Sequence, residues 1–188
     1  MTETDIFAKV LPYTLKFEGG YVFDPDDAGG ETFRGVSRVN NPRWEGWALI
    51  DAAKTVVGKK AVSINRHFAT DPVIGDMVTK FYFKEHWTPM GWPGITPRVH
   101  AKLFDTGVHI GVTGAKKLLQ RAIGVMADGI IGPKTIAAAQ AMGEPTLLEA
   151  LSKWQMAYYK DLMARKPAYK KYKDGWLARA RWKAEGIA

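Results

Sequence analysis

The sequence predicts a mainly α-helical fold with one small β-hairpin or ordered-loop lobe after the first helix. Three observations carry this. Apolar residues recur at helical spacing through most of the chain. Proline pairs mark helix starts at Asp71-Pro72, Thr96-Pro97, Gly132-Pro133 and Glu144-Pro145, and glycines mark ends at Gly19-Gly20, Gly58, Gly124 and Gly143. One stretch, Tyr21 to Asn41, breaks the pattern with Pro25, Asp26, Asp27, Gly29 and Gly30, followed by a short strand-like run from Thr32 to Val39.

The elements follow in order. Ile6, Val10, Tyr13, Leu15 and Phe17 give a first, loosely helical pattern. After the hairpin lobe, Trp44 to Val57 reads as a helix. Asp71 is a capping residue with Pro72 at the first helical position; Ile74, Met77, Val78, Phe81 and Tyr82 then share one face. A helix from Thr96-Pro97 carries Val99, Leu103 and Phe104. A shorter one runs from Thr113 through Leu118, Leu119 and Ile123. An Ala-rich helix reaches Met142, and a long one places Leu148, Leu151, Gln155, Tyr158, Tyr159 and Leu162 on a shared face. A basic aromatic tail closes the chain: Lys170, Lys171, Tyr172, Lys173, Trp176, Arg179, Arg181, Trp182 and Lys183. The Pro/Gly cluster from Pro89 to Pro97 suggests two segments, 1–93 and 94–188, packed as one helical body.

Composition bounds the function. The chain has 188 residues, 27 Lys plus Arg against 19 Asp plus Glu, net +8, and no Cys. That length suits one domain or a domain with a small lobe. Lack of Cys excludes disulfides, a thiolate nucleophile and Cys-ligated metal. The four His have no zinc-ligand spacing, which disfavours a zinc amidase. No Gly-x-Ser-x-Gly and no phosphate-binding loop is present, so serine hydrolase and nucleotide-hydrolysing readings lack support. The basic excess points to a polyanionic partner: nucleic acid, anionic membrane or cell wall. No secretory signal and no membrane-spanning run is seen, so the expectation is synthesis in the cytoplasm.

The chemistry concentrates in Glu18-Gly-Gly-Tyr21, followed by Asp27, Thr32 and Gly35. Glu18 stands at the expected C-terminal end of a helix, where unpaired carbonyls disfavour a carboxylate and raise its pKa. A carboxyl held protonated near neutrality can protonate a leaving-group oxygen. Gly19 and Gly20 leave room for a bulky polymer. Asp27 offers a second carboxylate and Thr32 a hydroxyl. On residues alone, an ordinary surface turn explains this run at least as well.

The run Glu18-Gly-Gly-Tyr, then Pro25-Asp-Asp-Ala-Gly-Gly-Glu-Thr32, then Gly35-Val36-Ser37 strongly resembles the start of glycoside hydrolase family 108. Members are N-acetylmuramidases, often phage endolysins. Leu103-Phe-Asp-Thr-Gly-Val-His-Ile-Gly111, Leu118-Leu-Gln-Arg-Ala-Ile-Gly124 and Asp128-Gly-Ile-Ile-Gly-Pro-Lys-Thr135 resemble the peptidoglycan-binding-type domain that usually follows. The chain departs from the family at His86-Trp-Thr-Pro89, where an aromatic-Trp-Asp-Pro run is common, and at His109, where Asn is common.

The resemblance implies a lysozyme-like fold and hydrolysis between N-acetylmuramic acid and N-acetylglucosamine. It puts the catalytic Glu on Glu18 and the motif's Asp and Thr on Asp27 and Thr32. Tyr21 and Trp87 are expected to touch the glycan, with the other Trp residues in the core. No cofactor or metal is expected. The expected partner is peptidoglycan, not nucleic acid, with the basic tail either contacting an anionic outer membrane or docking on the core, and the chain is expected to be a monomer. By resemblance to phage systems, holin-dependent release would bring it to the periplasmic wall. A lytic transglycosylase and a non-catalytic wall-binding module stay open as alternatives.

Overall fold

A computed structural model describes residues 2–23 and 30–187. Among the described residues the chain forms nine α-helices and one three-stranded sheet, the mainly α arrangement expected. The order is α1 (Glu3–Glu18), β1 (Tyr21–Phe23), β2 (Glu31–Phe33), β3 (Val36–Ser37), α2 (Gly46–Val57), α3 (Ala61–His67), α4 (Pro72–Tyr82), α5 (Pro97–Ile110), α6 (Val112–Ala122), α7 (Pro133–Met142), α8 (Glu144–Arg165) and α9 (Lys173–Arg181). A π-helical turn (Phe83–Trp87) follows α4, and 3-10 turns cover Thr88–Met90 and Pro167–Tyr172. No helix is long and apolar enough to cross a membrane among the described residues.

The chain divides into two compact units, Leu11–Phe83 and Met1–Val10 with Lys84–Ala188. The division falls at the π-helical turn rather than at the Pro/Gly cluster near residue 93. That cluster is internal to the second unit, where Met90 and Val99 on either side of it share one core.

In the unit Leu11–Phe83, β1, β2 and β3 pair antiparallel in sequence order. Tyr21, Phe33 and Val36 turn inward and are buried with Ile50, Ile64, Phe68, Ile74, Val78 and Tyr82. The Phe33 ring stacks on Trp44 and meets Phe68 edge-on. Asp71 caps α4 as its sequence promised: its Oδ1 accepts from the amides of Val73 (2.9 Å) and Ile74 (3.1 Å), satisfying two donors the helix start leaves unpaired. The short helix α3 has no side-chain cap and no long apolar stripe, and the sequence reading missed it.

α1 also differs in detail from its reading. The buried stripe is Phe7, Val10, Leu11 and Thr14, spaced i, i+3, i+4, i+7, whereas Phe17 is exposed. Pro12 lies inside this helix, where its ring removes one backbone donor.

The other unit is helical. Met90, Val99, Leu103, Leu118, Leu119, Leu147, Leu148 and Leu151 form its main core, drawn from the 3-10 turn Thr88–Met90 and from α5, α6 and α8. A second cluster joins Tyr159 and Met163 of α8 to Ala180 of α9. Two buried cations lock the basic tail. Arg179 donates through Nε to Asp105 (2.9 Å), with side chains 2% and 0% exposed. Lys102 donates through Nζ to the carbonyls of Arg179 (3.1 Å) and Ala180 (2.8 Å), closing the C-terminal end of α9. Burial holds the Lys102 ammonium down at about 7. Arg179 and Leu177 are therefore core residues, and Lys170, Lys171, Lys173 and Arg181 keep their charges in solvent.

Candidate active site

Each residue of the Glu18-Gly-Gly-Tyr motif has its own structural cause. Glu18 is the last residue of α1 and is half-buried. Gly19 takes φ +68°, the left-handed turn that ends a helix, and a side chain there would meet open space. Gly20 is bare for another reason: a Cβ would collide with Asn65 Oδ1 and stand 2.8 Å from its Cγ. Asn65, on α3, clamps the start of β1 through both backbone groups. The Tyr21 amide donates to Asn65 Oδ1 (2.6 Å), and Asn65 Nδ2 donates to the Tyr21 carbonyl (3.2 Å). The room at Gly20 thus serves the protein's own Asn65 rather than an incoming polymer.

The second wall beside Glu18 is the turn between β2 and β3. Its two residues, Arg34 (φ 44°) and Gly35 (φ 82°), both adopt positive φ, the form of two-residue hairpin turn that matches the twist of its strands. Arg34 tolerates this because it is held from three sides. Its amide donates to the Gly20 carbonyl (3.0 Å), its Nη2 to the Phe68 carbonyl (2.9 Å), and its own carbonyl accepts from the Tyr82 hydroxyl (2.8 Å). A Cβ at Gly35 would collide with the Tyr82 hydroxyl and stand 3.0 Å from Glu18 Oε2 and 3.2 Å from Glu18 Cβ. Glu18, Gly35 and the buried Tyr82 are therefore packed against one another with no room for a methyl group.

Several apolar side chains of the unit Leu11–Phe83 stay in solvent. Phe17, Val22, Phe23 and Val39 are 40–64% exposed. Thr32 sits in the middle of β2, half-buried, in register with Val22 on one side and Ser37 on the other. Asp27 lies outside the described residues. Tyr21 is 3% exposed, and its hydroxyl faces Glu31; burial is the main cause that raises its pKa. Glu31 pairs with Arg38 (2.8 Å) and Lys54, and Arg38 also forks onto Asp51. This ion network ties the sheet to α2.

The expected glycan contact by Trp87 is corrected. Trp87 is 0% exposed in the helical unit, stacked on His100 with ring centroids 3.7 Å apart and edge-on to Phe7 and Phe104. Its indole N–H donates to Glu3 (2.9 Å). No face is left for a sugar. Tyr21 is likewise enclosed and offers its backbone to Asn65 instead of its ring to a ligand. The His residues do not form a site either. His109 packs edge-on to Tyr159 and Trp176, and burial pushes it down to about 4; burial also lowers His86 and His100. Among the described residues no three His, Asp or Glu are placed to hold a metal ion.

Sequence reasoning did not single out Asn65 or the Tyr82 hydroxyl. Asn65 acts on a residue 44 positions away, and Tyr82 on one 48 away; no local pattern encodes either. Gly35 carried a usable signal, a glycine inside the strand-like run from Thr32 to Val39.

Comparison with known proteins shows the family. Residues 11–111, 101 of 188, match the glycosyl hydrolase 108 family, and residues 114–181 match a predicted peptidoglycan domain. Among solved structures, SagA of Brucella abortus is similar over 98% of this chain and 96% of its own, at 26% identity and a TM-score of 0.69. No curated protein matches the chain. The matched family region contains Glu18, Gly20, Gly35, Asn65 and Tyr82, and more than half the chain: the protein belongs to the glycosyl hydrolase 108 family.

Proposed function

We propose that the protein is an N-acetylmuramidase that hydrolyses the bond between N-acetylmuramic acid and N-acetylglucosamine, with Glu18 as general acid. The observation that carries this is the fixed position of Glu18: a half-buried carboxyl at the C-terminal end of α1, packed against Gly35. The negative end of the helix opposes ionisation, which suits a group that must arrive protonated. Family membership and the adjoining peptidoglycan-type region support the wall polymer as substrate.

In the proposed reaction the Glu18 carboxyl gives its proton to the glycosidic oxygen as the bond from that oxygen to the anomeric carbon breaks. Water, oriented by Asp27 and Thr32, adds to the anomeric carbon and gives its proton to Asp27 or back to the Glu18 carboxylate, which restores the acid. Positive charge developing on the sugar is met by the Glu18 carboxylate left behind. The exposed ring of Phe17, the residue before Glu18, would cover an apolar ring face, the task the sequence assigns to Trp87. In this reading the protein works as an endolysin, reaching the wall after holin-dependent release, and the exposed cations of its tail favour an anionic envelope.

The test is the soluble product of digesting purified peptidoglycan. Fragments ending in reducing N-acetylmuramic acid support the proposal. Reducing N-acetylglucosamine ends would place the cut at the other bond, and anhydro-muramic ends would make the enzyme a lytic transglycosylase.

A further inference from the structure

A concavity lies far along the sequence from Glu18, within the helical unit. Ile110 of α5, Gly114, Lys117, Leu118 and Arg121 of α6, and Trp154, Tyr158 and Asp161 of α8 line a groove of about 320 Å³. That volume lies at the small end of ligand sites. Its composition is unusual for a surface left to solvent. Trp154 is 44% exposed, although α8 has a well-filled core face from Leu147 to Met163. Trp154 and Tyr158 stand one turn apart on α8, and Lys117 and Arg121 one turn apart on α6, so aromatic faces and cations occupy opposite walls. Gly114 leaves the groove open toward its floor; a Cβ there would press to 3.3 Å from Ile110 Cγ1.

Among the described residues the two cations are not held in ion pairs, although Lys117 lends its field to Asp128. Asp161 is engaged by Arg165 (2.6 Å), and neither Lys117 nor Arg121 makes an ion pair among the described residues. Arg121 is exposed and Lys117 half-buried. An apolar floor, two aromatic rings and two unpaired cations fit a flat ring with an apolar face and an attached carboxylate. An unsubstituted sugar would leave the cations idle, and a purely anionic ligand would leave the rings idle. In a wall polymer the N-acetylmuramyl unit has both features, through its sugar face and the carboxylates of its stem peptide.

We propose that this groove is a second, non-catalytic site that holds one N-acetylmuramyl-peptide unit of peptidoglycan. The proposal rests on the wall polymer being the substrate, and not on which residue is the acid. Such a site would keep the enzyme on the strand between cuts and raise the local concentration of bonds at Glu18.

The experiment is calorimetric titration of the full chain with N-acetylmuramyl dipeptide, which has no intersugar bond to cleave. The expected result is saturable binding that Trp154→Ala, and separately the pair Lys117→Ser with Arg121→Ser, weaken about tenfold or more, with thermal midpoints close to wild type. Chitotriose, which lacks the carboxylate, should lose little affinity in the Lys117/Arg121 variant. Equal binding by wild type and variants overturns the proposal, as does absence of binding. Tighter binding of adenosine monophosphate than of muramyl dipeptide also overturns it, pointing to a nucleotide. Peptidoglycan left uncut by a chain that still binds muramyl dipeptide in this groove would overturn the hydrolase reading and leave the groove standing.

Discussion

Replacing Gly35 with alanine adds one methyl group at the point where the hairpin turn, Tyr82 and Glu18 meet. Two costs can be worked from the geometry. Holding a non-glycine residue at φ 82° costs roughly 1–2 kcal/mol. The new Cβ would collide with the Tyr82 hydroxyl, and moving that hydroxyl breaks its 2.8 Å bond to the Arg34 carbonyl, a further loss of about 0.5–1.5 kcal/mol. The expected destabilisation is about 2–3 kcal/mol, a fall in melting temperature of roughly 5–10 °C for a chain this size. Activity should suffer more than stability. The same methyl would stand 3.0 Å from Glu18 Oε2, and a shift of about 1 Å in a reacting group can cost on the order of 100-fold.

The assays are thermal or urea unfolding and the initial rate of clearing of purified peptidoglycan. Gly75→Ala is the control. Gly75 lies inside α4 with nothing within 4 Å of its Cβ position, so alanine there should gain about 0.5–1 kcal/mol without loss of rate. Adding Tyr82→Phe to Gly35→Ala removes the obstructing oxygen, so the pair should be less damaging than the sum of its parts. A Gly35→Ala protein that melts and clears like wild type would refute this reasoning.

Other expected outcomes concern the frame. Asp105→Ala strands the buried guanidinium of Arg179 and should cost about 3–5 kcal/mol in urea unfolding, whereas Asp105→Leu with Arg179→Met should recover most of it. Asp71→Ala removes the cap of α4 and should cost about 1 kcal/mol in the same measurement. His109 is held at about 4 when folded against 6.5 unfolded, so the unfolded chain takes up the proton first as pH falls. Its contribution is whole above pH 6.5 and declines down to pH 4, by at most about 3 kcal/mol. His109→Phe should remove that share of the acid sensitivity; the remaining slope is shared by His86 and His100, which burial shifts the same way, and by the ion-paired carboxylates Asp51 and Glu149, which are held low.

What could be read in the sequence was local. Asp71-Pro72, the glycines that end helices and the hairpin lobe are governed by backbone conformation within a few residues. The motif at Glu18 was legible for the same reason, because Gly19 and the turn glycine Gly35 answer to their own φ angles. The rest depends on partners far away in the chain. Asn65 explains Gly20, yet its neighbours say nothing of β1. Trp87 sits beside polar residues and reads as an exposed ring; only Phe7, His100 and Phe104, brought from two other segments, bury it. Arg179 looked like one cation among several in a solvated tail, and Asp105, 74 residues earlier, makes it core.

The central claim is that Glu18 supplies the proton that breaks the glycan. Glu18→Gln keeps the shape of the side chain and removes the acid. Its melting curve should match wild type, and its rate of release of reducing muramic ends from purified peptidoglycan should fall by about 10²–10⁴-fold or more. A folded Glu18→Gln protein that releases those ends at the wild-type rate would contradict the account.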